Sequence, residues 1–156
     1  MSARRLRSWR SDSGNAIVEF VFVAVMIMIP LVYFVTAIAS VQRSNLGVSQ
    51  AAREAGRAFA TGSSTVDSLS RARAAARLTL ADQGLPDDAV LRYVAVGVDC
   101  RGAQVDPALT PGAEFAVCVI RHTALPGVPT LLAGQGITTI GRYVVHVDDF
   151  RSVHDR

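Results

Sequence analysis

The chain has 156 residues, half of them hydrophobic, and a formal net charge of +3 at pH 7. That length leaves room for about one domain beyond a membrane segment. The whole charge excess lies in residues 1–14, which contain four Arg and one Asp, whereas basic and acidic residues are equal in number over the rest. A basic excess confined to the flank of an apolar run indicates membrane topology and argues against a nucleic-acid-binding protein.

An apolar segment follows the basic residues and runs from Ala16 to Ala39 with one charged residue, Glu19. A helix of this length rises roughly 36 Å, enough to cross the roughly 30 Å hydrocarbon core. A buried core helix is the alternative, but so small a protein could hardly surround it. Pro30 lies inside the segment and should bend it, as membrane helices tolerate. The preceding Arg residues predict a cytoplasmic N-terminus and an extracytoplasmic C-terminal part.

Helical periodicity continues beyond the membrane segment as far as Thr61 and Gly62. Small residues recur at helical spacing with charged residues between them, which predicts one long helix that becomes amphipathic after it leaves the membrane. Residues 63–65, Ser-Ser-Thr, should break and recap the chain, and a second helix is predicted up to about Gln83.

The C-terminal part changes to the period-two alternation of strands. Three runs rich in β-branched residues, at 89–99, 114–121 and 137–147, are divided by segments containing Pro and Gly. In the first run, Val90, Val94, Val96 and Val98 are predicted to share one face. We therefore predict an α+β fold in which a long transmembrane helix continues into a domain with a second helix and a small antiparallel sheet of about three strands.

The predicted organisation has four parts. They are a basic cytoplasmic leader (1–14), a transmembrane helix (15–40), an extracytoplasmic helix extension (41–62) and a small α+β extracytoplasmic domain (63–156).

Two cysteines, Cys100 and Cys118, follow the membrane segment. An even pair outside the cytoplasm predicts a disulfide, with two buried free thiols as the alternative. A metal site is not expected, because no paired CxxC spacing occurs.

No pattern of catalytic residues is apparent along the chain. It contains no nucleophile elbow, no phosphate-binding Gly loop and no HExxH motif, and its histidines, His122, His146 and His154, are far apart. The acidic pairs 87–88 and 148–149 are predicted to face solvent. We therefore predict a protein that is not an enzyme and needs no cofactor.

The sharpest local pattern is Ser-Gly-Asn-Ala-Ile-Val-Glu-Phe at residues 13–20. A carboxylate such as that of Glu19 within an apolar helix costs on the order of a few kcal/mol, and it usually marks a function or a partner. The alternative is that Glu19 lies near the interface and reaches the lipid headgroups.

This arrangement resembles the type IV pilin superfamily: a short basic leader, Gly14, and an apolar helix with Glu at the fifth residue after that Gly. The resemblance implies that a prepilin peptidase cleaves between Gly14 and Asn15 on the cytoplasmic side. It also implies that the freed amine of Asn15 pairs with Glu19, within a subunit or between neighbours, which gives each buried charge a partner.

Within that superfamily the chain is most similar to the TadE/TadF-like minor pseudopilins of tight-adherence (Flp) pili. The similarity also includes the QAAREAGRA helix and the terminal YVVHVDDFRS. Major Flp pilins are far shorter and usually carry Tyr after the Glu, so Phe20 and the large outer domain favour the minor class. The implied partners are the membrane, the peptidase, other pilins or pseudopilins, and the pilus assembly machinery. The implied role is to support assembly or initiation of the pilus, with Glu19 and Phe20 in helix packing.

Three alternatives stay open from the sequence. The chain could be an unprocessed signal-anchored protein whose outer domain is a binding module. It could also be a secreted domain released after Ala39, where Ala37-Ile38-Ala39 has the small-x-small form of a signal-peptidase site. Finally, the apolar loop 123–132 either folds over the core or forms a docking surface for membrane or another pseudopilin.

Overall fold

The computed structural model describes residues 13–123 and 136–151, with the backbone alone for residues 13–15. Its elements are two helices, α1 (Ser13–Ala60) and α2 (Thr65–Asp82), and three strands, β1 (Val90–Val94), β2 (Glu114–Thr123) and β3 (Ile137–His146). The predicted α+β fold, with its long N-terminal helix, second helix and three-stranded sheet, is confirmed.

Helix α1 has 48 residues and contains Pro30. Two units can be distinguished along the chain, Met1–Thr36 and Ala37–Arg156. In the first unit the side chains from Ala16 onward are exposed, except that of Ala24, which is partly covered. In the second unit, α1 has a buried face that includes Val48, Ala52 and Phe59. The same helix therefore changes from uniformly apolar and exposed to amphipathic.

Helix α2 begins with a capping arrangement. The Ser64 hydroxyl accepts a hydrogen bond from the Asp67 backbone N–H, and the Asp67 carboxylate accepts one from the Ser63 N–H at 2.8 Å. The first bond satisfies one of the N–H donors that every helix N-terminus leaves free, and the second holds the residue before the N-cap. The helix ends at Asp82, and Gly84 follows with a φ of +67°, a conformation that glycine adopts without a Cβ penalty.

The sheet is antiparallel with strand order β1-β2-β3. β2 is central, and its residues alternate between the face covered by the helices and the opposite face. The prediction that the first strand extends to residue 99 is wrong, because β1 ends at Val94 and Val96 and Val98 lie in an exposed turn. Gly97, with a φ of +86°, turns the chain there, so four valines do not share one strand face.

The main core lies between the sheet and the two helices of the second unit. An aromatic group at its centre joins Phe59 of α1 to Tyr93 of β1 and Phe115 of β2, with ring centroids 4.9–5.9 Å apart. Small residues allow close packing around it: a Cβ on Gly141 would overlap the backbone of Val48. The remaining core residues are mainly Ala and Val, with Leu80 from α2.

Candidate functional site

The predicted motif lies at the N-terminal end of α1. Because the helix begins at Ser13, Gly14 and Asn15 are in its first turn and Glu19 and Phe20 follow in the second. The side chain of Phe20 is 73% exposed, and Glu19 is also exposed. Cleavage after Gly14 and packing by Glu19 and Phe20 remain predictions.

The residues that follow Glu19 in the membrane segment are apolar. Among residues 16–123 and 136–151, no side chain forms a hydrogen bond or an ion pair with Glu19, and its neighbours Val18 and Phe22 are both about two-thirds exposed. In water this exposure would be unremarkable for the carboxylate and unfavourable for the neighbours. In a membrane the preference is reversed: the apolar side chains are favoured and the carboxylate needs a partner.

The helix that carries Glu19 is long and apolar enough to cross a membrane. Its most apolar window has a mean hydropathy of 2.7, and none of that window is buried within the chain. A core helix of a soluble domain would have a covered face, so full exposure is consistent with a single-pass membrane protein.

The predicted disulfide is confirmed. Cys100 and Cys118 are bonded, with a Cα–Cα distance of 5.7 Å, on the sheet face that points away from the helices. Arg92 of β1 lies in the same row of the sheet and donates hydrogen bonds to the carbonyl oxygens of Cys100 (3.2 Å) and Gly102 (3.0 Å). The disulfide and the hydrogen bonds of Arg92 together hold the connection between β1 and β2 against the sheet.

A buried polar network connects α1 to the sheet, and no pattern in the sequence predicts it. Ser44 of α1 accepts hydrogen bonds from the Thr123 hydroxyl (2.6 Å) and from Nη1 of Arg121 (3.1 Å). The Thr139 hydroxyl donates to the Arg121 carbonyl oxygen, so Ser44 donates its single hydroxyl proton to the Thr139 oxygen at 2.8 Å. Nε of Arg121 binds Asp88 at 2.6 Å, so this acidic residue has a structural role besides facing solvent.

A second polar cluster lies at the other end of the β2–β3 pair. His146 is exposed, and its Nδ1 lies 3.1 Å from Glu114 while its Nε2 lies 3.5 Å from Asp149. The hydrogen bond to Glu114 raises the pKa of His146, and the negative charge of Asp149 acts in the same direction. Within the described ranges, no three His, Cys, Asp or Glu side chains are arranged to hold a metal ion.

Some of the sequence predictions fall outside the described residues. These are the basic leader as far as residue 12, the loop 124–132 and His154. Of the loop, only Thr123 is described, as the last residue of β2 and a member of the Ser44 network.

Comparisons with protein-family models, with curated proteins and with solved structures gave no significant match.

Proposed function

We propose that this chain is a TadE-like minor pseudopilin that supports the assembly or initiation of a tight-adherence pilus. In this proposal the N-terminus is cytoplasmic, the Ala37–Arg156 unit is extracytoplasmic, and a prepilin peptidase cleaves between Gly14 and Asn15. The basic leader supports that orientation, because cytoplasmic flanks of membrane helices are enriched in Arg.

The observation that carries the proposal is the lone carboxylate of Glu19 on the apolar segment of α1, whose most apolar window is not buried within the chain. A charged residue at the centre of a membrane helix costs on the order of 3 kcal/mol, and less near the interface. Cleavage after Gly14 would create an α-amine on Asn15, four residues before Glu19 and therefore about one helical turn away. That amine, or the one of a neighbouring subunit, is the partner that the carboxylate needs.

Two features favour the minor class over the subunit that builds the shaft. The residue after Glu19 is Phe20, and the chain carries a disulfide-containing α+β unit of over a hundred residues. That unit offers surface for other pilins and for the assembly machinery, whereas the membrane helix provides the contact with the lipid and the peptidase.

The N-terminal residue of the protein isolated from native membranes tests the processing step. Asn15 is the expected result. Met1 or Ser2 would contradict the proposal and favour an unprocessed, signal-anchored binding module, and Ser40 would indicate a secreted domain. As a matched pair, Gly14→Leu should abolish cleavage, whereas Ser13→Leu should preserve it.

A second experiment tests the carboxylate. Glu19→Leu and Glu19→Gln should leave membrane insertion intact and reduce the amount of assembled pili at least tenfold, whereas Thr36→Leu, which also replaces a polar residue of the span, should not. The N-terminal residue of each variant must be determined, so that failed processing is distinguished from failed assembly. Normal piliation in Glu19→Leu would refute the role given to this carboxylate.

A further inference from the structure

Phe150 projects from the end of the second unit on an anchored turn. Its side chain is 96% exposed, more than any other large hydrophobic side chain among the described residues. The turn is held on both sides: the Phe150 N–H donates to the Asp148 carboxylate at 2.8 Å, and Arg151 donates to the carbonyl oxygens of Ala60 (2.7 Å) and Gly62. Three hydrogen bonds therefore hold the turn that carries this ring, and aromatic side chains are enriched among the residues that dominate protein interfaces.

A cavity of about 240 Å³ lies elsewhere on the same unit, between α2 and β1. This volume is below the roughly 300–1,000 Å³ of pockets for drug-sized ligands, but an apolar cavity of about 150 Å³ holds benzene, so the space fits one aromatic side chain. Arg77 at its rim pairs with Asp87 at 3.1 Å, whereas Arg73 has no acidic partner among the described residues. The apolar lining consists of Ala76, Leu80, Ala89, Leu91 and Val119.

The ring and the cavity are complementary in charge as well as size. Phe150 is preceded by two exposed aspartates, Asp148 and Asp149, and the cavity lining contains Arg73, which has no acidic partner among the described residues, beside the paired Arg77 and Asp87. A phenyl ring in the cavity would lie close to these guanidinium groups, which also attract the faces of aromatic rings.

Ring and cavity cannot meet within one chain. Arg151 fixes the Phe150 turn beside Gly62, just before α2, whereas Arg77 is near the end of α2 and roughly 18 Å further along the helix at 1.5 Å per residue. We propose that Phe150 of one copy inserts into the α2–β1 cavity of a second copy, with Asp149 facing Arg73.

Such a contact is heterologous, because each copy uses one surface to donate the ring and a different surface to receive it. Heterologous contacts generate rings when they close and open helical assemblies when they do not. The contact requires neither cleavage after Gly14 nor the Glu19 carboxylate, so its failure would leave the proposed function standing, and the reverse also holds.

Cross-linking of the full chain in detergent micelles tests the pairing directly. Asp149→Cys and Arg73→Cys chains, which both keep the Phe150 ring, are mixed and treated with a short bismaleimide, which the native disulfide does not consume. We expect a cross-linked dimer in the mixture and little in either variant alone, because the contact joins two different surfaces. A mixture of Asp149→Cys with Thr110→Cys, an exposed site elsewhere, is the control. Equal yields in the two mixtures, or no dimer in either, would overturn the proposal.

Charge reversal supplies an independent test by sedimentation of the full chain. Phe150→Ala should weaken self-association about 30-fold, as expected for an aromatic anchor. Arg73→Asp and Asp149→Arg should each weaken it about threefold, as for an exposed ion pair, and the double variant should recover the loss. The control reversals Arg53→Asp and Asp106→Arg should have no effect. Absence of recovery in the double variant would exclude the Arg73–Asp149 pairing, and unchanged association of Phe150→Ala would exclude the anchor.

Discussion

The hydroxyl of Thr123, at the end of β2, donates a 2.6 Å hydrogen bond to the hydroxyl of Ser44 on α1, 79 residues away in sequence. Both side chains are buried, and the same Ser44 oxygen also binds Arg121. Burying a polar group without a hydrogen bond is costly, and most buried polar groups are hydrogen-bonded. These hydrogen bonds therefore hold the end of β2 at Ser44 of α1, and their loss should lower the free energy of unfolding.

Replacement of Ser44 by Ala should lower the free energy of unfolding by about 1–3 kcal/mol, because the Arg121, Thr123 and Thr139 groups would lose a buried partner. Denaturant unfolding of the full chain in detergent, followed by near-UV circular dichroism, measures the change. The neighbouring exposed Asn45→Ala is the control and should alter stability by less than about 0.5 kcal/mol. An equal effect of the two substitutions would show that the network contributes nothing.

A methyl group on Gly141 should destabilise the second unit. The Cβ of Gly141→Ala would overlap the backbone of Val48 on α1, and since backbone cannot rotate away, helix and strand must separate. Overpacking typically costs about 1–3 kcal/mol, and we expect the upper part of that range. Val144→Ala, at an exposed position of the same strand, should cost far less. Retention of full stability by Gly141→Ala would mean that α1 and β3 are not in this close contact.

Removal of the Tyr93 hydroxyl should be neutral or stabilising. Its oxygen is buried without a hydrogen-bond partner among the described residues, and burial raises the pKa of Tyr93 to about 12. Tyr93→Phe keeps the aromatic contacts with Phe59 and Phe115 and removes an unsatisfied polar atom. Thermal unfolding gives the stability. Ultraviolet titration should show one tyrosine ionising only near pH 12 in the parent protein and not in the variant. A loss above 1 kcal/mol would show that the hydroxyl has a partner.

Loss of the disulfide should lower the free energy of unfolding by about 3 kcal/mol, the chain-entropy value for a loop of this length. The bond joins residues 18 apart, and both cysteines are buried. The paired Cys100→Ala/Cys118→Ala variant avoids a lone thiol and should still fold, because the aromatic core lies on the opposite face of the sheet. Reductant should lower the free energy of unfolding of the parent protein by the same amount, as measured by denaturation. It should not change the free energy of unfolding of the variant.

His146 should contribute a pH-dependent component of stability. Its pKa is raised in the folded state by Glu114 and then by Asp149, so the contribution is fully present below the unfolded pKa of about 6.5 and is lost as the pH rises through the higher folded value. A pH titration followed by proton NMR of the imidazole should have its midpoint above about pH 6.5, and Glu114→Gln should shift this midpoint to lower pH. A midpoint that does not respond to Glu114→Gln would rule out this hydrogen bond as the cause.

The sequence by itself determined the features that arise from local patterns. Apolar residues 16–39 define a helix that needs no tertiary partner, residues 63–65 predict the start of α2, and its end is predicted near Gln83. The alternation around β2 and β3 predicts both strands. The isolated carboxylate of Glu19 is visible for the same reason, because one charge in an apolar run needs no structure to be recognised. Strand β1 was overextended because valine alternation continues past Val94 into a turn that depends on Gly97.

Only the tertiary structure decided which distant residues meet. Ser44 and Thr123 have no pattern that relates them, and the need for glycine at position 141 depends on how closely α1 approaches β3. The exposure of Phe150 is likewise undecided by sequence, since a phenylalanine after a strand is equally compatible with a core position. Local propensity acts over a few residues, whereas packing selects contacts from the whole chain, and for that reason the surface proposed for self-association emerged only from the fold.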